Sequence, residues 1–199
     1  TLESQLVVAA NPMYPELTRD LDVPFEQVGA ILPAVNDEQF ESLPAIKEKA
    51  FNNRVYDVEY LTKEQLLEME PNLNPDVKGG LYIPRESIID PFVYVQALAE
   101  NAYENGVRFL LNTKVTGIHT EDGRIKSVET TSGAIETKYV VNAAALYSDE
   151  IAAMVGKADY KMVARRGQFF ILDKNTSCKV NRIILPIPTK ITKGKLMCP

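Results

Sequence analysis

The chain has 199 residues, 45% of them apolar and 25% charged, which excludes a disordered or fibrous protein and allows one large domain or two small ones. A net charge of −5 speaks against a nucleic-acid surface, which shows clustered Lys and Arg. Two cysteines, Cys178 and Cys198, lack zinc-site spacing, and the single histidine, His119, leaves a metal short of nitrogen ligands.

From the N-terminus, Leu2, Leu6 and Ala9 share a face in "TLESQLVVAA", which predicts a helix. A second helix near 13–21 restarts at Pro12 or Pro15, because proline suits a first turn where its missing N–H would be unpaired. "EQVGAILPAV" reads as an aliphatic strand. Asn36 and Asp37 supply capping oxygens for a helix over about 37–51, kinked at Pro44. "VYDVEYL" alternates as a half-buried strand, with Val55, Asp57 and Glu59 on one side and Tyr56, Val58 and Tyr60 on the other. In "TKEQLLEMEP", Thr62 and Gln65 have capping-box spacing and Pro71 ends a short helix.

"KGGLYIPR" follows as a strand after a glycine turn. "IIDPFVYVQALAENAYENG" is the clearest helix: Asp90 as N-cap, Pro91 in the first turn, Phe92, Val95, Leu98, Ala99 and Ala102 on one face, Gly106 as terminator. The period then changes to two. From Val107 to Ala145 short strands alternate with "EDG" and "TSG", which are hairpin signals, and a helix follows at about 147–155. "MVARRGQFFILDK" and "VNRIILPIPTK" read as further strands joined by the polar loop "NTSCK". The pattern predicts a mixed α/β protein (α+β) with substantial antiparallel sheet, in which 91–157 form one layer and 1–90 with 158–199 form another.

Little of this carries chemistry by itself. Alternation places His119 on a solvated hairpin face, and the carboxylates of "NDEQFE" and "KEQLLEME" are scattered along helix surfaces, so no acid/base pair is nominated and no catalytic residue is assigned. None of the ten glycines forms a phosphate-cradling loop. No apolar run approaches the roughly 20 residues of a spanning helix. In "YVVNAAALYSDEIAAMVG", small residues stand where a strand becomes a helix; they admit either close packing or the approach of a ligand to the backbone. Asp149 and Glu150 discourage a phosphate at that helix start.

Taken in order, "IIDPFVYVQALAENAYENGVRFLLNTKVTGIHTEDGRIKSVETTSGAIETKYVVNAAALYSDEIAAMVG", "RRGQFFILDK" and "RIILPIPTK" resemble the middle of FAD-dependent oxidoreductases of the D-amino-acid-oxidase superfamily. The glycerol-3-phosphate dehydrogenase and L-2-hydroxyglutarate dehydrogenase branch is the most similar. The resemblance implies a flavin-domain portion at 91–157 containing the β-meander, and an antiparallel-sheet substrate (cap) domain in two parts, 1–90 and 158–199, both incomplete. It implies that the backbone of Val115 meets the adenine end of FAD, and that Asn142, Ala143, Ala144 and Ala145 approach the dinucleotide. Ala145 replaces a family glycine, so its methyl group crowds that approach or demands another φ. Arg166 and Gln168 match a strand leading to the substrate side of the flavin, where an arginine fork suits an anion.

The resemblance further implies hydride transfer from a small anionic hydroxy compound to flavin, glycerol 3-phosphate first and a 2-hydroxy acid such as L-2-hydroxyglutarate second. The rival is a non-catalytic binding module. The expected protein is reduced and cytoplasmic, at most peripheral on a membrane, with an unidentified electron acceptor. The stretch itself reads as a fragment that binds FAD poorly, is inactive alone, and offers exposed sheet edges as a dimer contact.

Overall fold

A computed structural model describes residues 1–157, 159–173, 175–177 and 179–188. Cys178, Cys198 and the end of the last expected strand lie outside the described residues. The chain divides into two compact units, one of residues 1–107 with the chain from 173 onward, the other of residues 108–172.

The first unit opens with α1 (Leu2–Ala10), capped by the Thr1 hydroxyl, which accepts from the Ser4 N–H. The expected helix is present, and its face of Leu2, Leu6 and Ala9 is exposed. A one-turn helix at Asn11–Met13 contains Pro12, and α2 (Tyr14–Asp20) has Pro15 in its first turn, so proline marks both restarts. β1 (Phe25–Glu26) is followed by β2 (Ala30–Ala34), buried at all five positions. Next come α3 (Asp37–Asn52), β3 (Glu59–Thr62), α4 (Lys63–Met69), β4 (Gly79–Ile83), β5 (Ile88–Ile89) and α5 (Pro91–Glu104).

The expected caps are present. Asn36 Oδ1 accepts from Gln39 N–H at 2.9 Å, the Thr62/Gln65 box closes in both directions, and Asp90 Oδ1 accepts from Phe92 and Val93 N–H. Helix α3 continues through Pro44.

The central sheet has the order β3-β4-β2-β9, where β9 is Ile183–Ile184. β3 and β2 pair antiparallel with β4, and β2 pairs parallel with β9. Alternation along β2 supplies two cores. Leu32 and Ala34 join Leu43, Val58 and Leu81 on one face, and Ile31 joins Leu66 and Val77 on the other. The glycine pair of β4 is what lets the strands close: a Cβ on Gly80 would lie 2.6 Å from the Leu32 carbonyl oxygen.

Pro33 explains why β9 is short. Ile183 N–H donates to Gly29 O and Leu185 N–H to Ile31 O; the next rung of this parallel ladder needs a donor at Pro33, which has none. Among the described residues, the expected strand over "VNRIILPIPTK" pairs only at Ile183–Ile184.

The strand before α4 is also shorter than its alternation suggests. Only Glu59, Tyr60 and Leu61 of "VYDVEYL" enter the ladder, with Thr62 after them. Val58 is buried, whereas Tyr56 and Tyr60 are exposed, Tyr56 edge-on against Phe51 and Tyr60 beneath the Lys47 ammonium, 4.3 Å from its ring centre. Ahead of β3, Asp57 takes both Nε and a terminal nitrogen of Arg85 in a half-buried fork, holding the turn after β4 to this segment. The apolar face of α5 is exposed at Phe92 and Val95, although Tyr94 packs beside Tyr14 with ring centres 5.9 Å apart.

The second unit contains the meander of β6 (Val115–Glu121), β7 (Arg124–Thr130) and β8 (Gly133–Glu136), joined in sequence order by antiparallel hairpins. "EDG" turns as its residues require, with Asp122 at φ 51° and Gly123 at φ 71°. A short helix, α6 (Ser148–Ala153), follows a one-turn helix at Ala145–Tyr147. The stretches 107–112 and 138–144, and the described part, 162–173, of "MVARRGQFFILDK", read from alternation as strands, join no ladder among the described residues, and Val141 and Phe170 are 90% and 98% exposed.

Two tests follow from this unit-by-unit picture. Gly80→Ala should lower the unfolding free energy by about 1–3 kcal/mol, read as a shift in the urea midpoint, because β2 or β4 must move to admit the methyl group. The Arg85 hydrogen bonds hold Asp57 below its ordinary pKa of 3.8. The pair therefore stabilises the fold above about that pH and loses its effect as pH falls through the depressed value. Asp57→Asn should flatten the acid limb of stability measured between neutral pH and pH ~3, while an equally steep limb would assign acid sensitivity elsewhere.

Candidate functional site

The segment 142–149 is built around one amide side chain. Asn142 Nδ2 donates to Ser148 O at 2.8 Å, and its Oδ1 accepts from Ala144 N–H at 3.3 Å, so the side chain spans both ends of the small-residue turn. Ala144 O accepts from Tyr147 N–H at 2.9 Å, closing the one-turn helix. Both peptide groups of Ala144 are thus used within the turn. Ala143 is exposed, and Ala144 is half-buried. Ala145 stands at φ 48°, in the left-handed region where a Cβ is strained and glycine is not.

The carboxylate of Asp149 is turned away from any ligand role. Its Oδ1 accepts from Glu150 N–H and its Oδ2 from Met162 N–H, both at 2.9 Å, while Tyr160 OH donates to Ser148 O at 3.0 Å. These bonds fix the start of the chain running to Arg166 and Gln168. Reading the sequence alone missed them. The available signal was the Asx type of Asn142 and Asp149 at a turn, where such side chains bind nearby backbone.

The remaining candidates lie elsewhere in the second unit. Val115 begins β6, half-buried, opposite Thr130. Arg166 and Gln168 are exposed on a segment that is neither helix nor strand, and no hydrogen bond or ion pair engages either among the described residues. Nor does any hydrogen bond or strand pairing among them join Val115, the 142–145 turn and Arg166 with Gln168. His119, in β6, is exposed and opposite Ser127.

What this turn could hold follows from its chemistry. An exposed alanine backbone at 143 beside exposed Val141, Leu146 and Tyr147 suits an apolar or flat ligand edge. The chain contains no glycine loop for pyrophosphate, and α6 begins with two acids. The turn therefore offers apolar surface and no cradle for a charged bridge. Among the described residues, no cluster of His, Cys, Asp or Glu could hold a metal ion, and no helix is long and apolar enough to cross a membrane.

The strain at Ala145 is directly testable. Ala145→Gly should stabilise the chain by about 0.5–1 kcal/mol, the left-handed penalty removed less the added freedom of the unfolded chain. An unchanged or lowered urea midpoint would mean that this residue is not held at positive φ.

Comparison with known proteins gives the same architecture. The family model for FAD dependent oxidoreductases, DAO, matches residues 1–198. A glycerol 3-phosphate dehydrogenase of Caloramator mitchellensis is 39% identical over 199 residues, covering 100% of this chain and 41% of that protein. An L-2-hydroxyglutarate dehydrogenase of Indibacter alkaliphilus is 27% identical over 180 residues, 88% of this chain and 44% of that protein. The structure of the FAD-bound L-α-glycerophosphate oxidase from Mycoplasma pneumoniae has the same fold at a TM-score of 0.73 and 24% identity, over 96% of this chain and 51% of that one. The chain thus spans about half the length of the relatives it matches. A match along essentially its whole length, on a mixed α/β architecture shared with a flavin-bound structure, establishes that the chain belongs to the DAO family of FAD-dependent oxidoreductases.

Proposed function

We propose that this chain is part of a cytoplasmic flavin-linked dehydrogenase that oxidises glycerol 3-phosphate. The observation that carries the reading is the identity with the Caloramator dehydrogenase along the entire chain. In this reading residues 91–157 border the cofactor, and 1–90 with 158–199 contribute to the substrate (cap) domain. The exposed backbone at Ala143, with Asn142 shaping the turn and Val115 at the head of the meander, would lie against the adenosine part of FAD. Ala144 and Ala145 supply the bend that presents it.

When bound, flavin supplies the hydride acceptor. The work left to this chain is recognition. Arg166 would hold the substrate anion through two parallel donors, and Gln168, two residues on, would hydrogen-bond a neighbouring oxygen. A second reading, oxidation of L-2-hydroxyglutarate, is supported by the Indibacter relative; a guanidinium fork takes a carboxylate as readily as a phosphate.

The test compares turnover of glycerol 3-phosphate and L-2-hydroxyglutarate by the FAD-loaded full-length protein with an artificial electron acceptor. Preference for the phosphate substrate is expected. Arg166→Ala should lower kcat/KM for it by about 10- to 100-fold, the loss of a charge-assisted contact, with the flavin absorbance unchanged. Turnover of neither compound by flavin-loaded protein would overturn both substrate assignments.

A further inference from the structure

The return of the chain to the central sheet is held by a buried carboxylate that the proposed chemistry does not use. Glu70, the residue after α4, is fully buried, and both its oxygens accept from the single N–H of Asn181, at 2.9 and 3.0 Å. Asn181 Nδ2 and an Arg182 terminal nitrogen both donate to Met69 O, at 3.3 and 3.1 Å. The same Arg182 nitrogen lies 4.0 Å from Glu70 Oε1, and Asn72 Nδ2 donates to Lys179 O at 2.7 Å. The end of α4 and the residues just after it thus grip residues 179–182, immediately before β9.

That grip stands where the strand's own ladder is weakest. Pro33 ends the parallel ladder after Ile31, so backbone pairing gives β9 little hold on its register. Yet the register decides burial. Ile184 packs with Ile31 and Leu66, whereas Leu185 and Ile187 pack with Leu32 and Leu43, on the opposite face. A slip by one residue would exchange the faces and bring each side chain against the wrong core.

We propose that Glu70 is a positioning residue whose buried carboxylate sets the register of β9, so that the chain arriving from the second unit enters the sheet in one phase. The proposal is independent of the substrate assigned above. A carboxylate suits the task because it accepts from a backbone N–H whatever side chain that residue carries, and because the facing Arg182 offsets the cost of burying its charge.

Hydrogen exchange on the full chain tests it. In Glu70→Ala, protection of the Ile183 and Leu185 amides should fall about tenfold or more, while the amides of the β2–β4 ladder keep theirs within a few-fold, the mark of local rather than global opening. Glu70→Gln, which retains an acceptor for Asn181, should restore most of the protection. A uniform fall across the sheet, no fall at β9, or a Glu70→Gln protein as open as Glu70→Ala would overturn the proposal. If Glu70→Ala does not fold, Glu70→Asp decides, since its shorter arm keeps the charge and withdraws from Asn181. Selective loss at Ile183 and Leu185 then supports the register role, and uniform or absent loss overturns it.

Discussion

Burial of β2 on both faces is the constraint from which the first unit follows. A strand with no exposed residue must have its peptide groups paired on each edge and its side chains covered above and below. β4 meets the first demand along the full strand, and its glycines permit the close approach. On the other edge the demand is met only as far as Ile31, because proline at position 33 has no donor to offer. The two apolar clusters then form without further instruction, since consecutive residues of β2 point to opposite faces.

Much of this was legible in the amino-acid order wherever the deciding interaction is local. Asn36, Thr62 with Gln65, and Asp90 start their helices by bonds spanning two or three residues, and "EDG" turns because Asp and Gly tolerate positive φ. The readings failed where structure depends on a remote partner. Alternation in "VRFLL", "KYVVN" and "RRGQFFIL" reports which side chains favour a shared face, but a strand also requires a neighbour at hydrogen-bonding distance, which periodicity does not encode. The apolar face of α5 follows the same logic: its 3.6-residue spacing defines a stripe without naming what should cover it.

At the candidate site, the residue types were readable and their roles less so. Ala145 stands at positive φ, which its residue type alone does not announce. Asn142 was singled out as part of a backbone approach, yet its side chain organises the turn, an outcome that depends on the chain doubling back to Ser148. Glu70 was concealed more fully. In sequence it is one carboxylate among several on a polar helix, and only the return of the chain more than a hundred residues later encloses it.

The contact of Tyr14 on α2 with Tyr94 on α5 has a spectroscopic consequence. The chain has no tryptophan, so its near-ultraviolet optical activity arises chiefly from tyrosine and phenylalanine. Tyr14 neighbours both Phe25 and Tyr94, with ring centres 6.4 and 5.9 Å away, and coupled rings held in a chiral arrangement give circular dichroism that free side chains lack. The docking of these two helices therefore carries its own optical reporter, readable without a label.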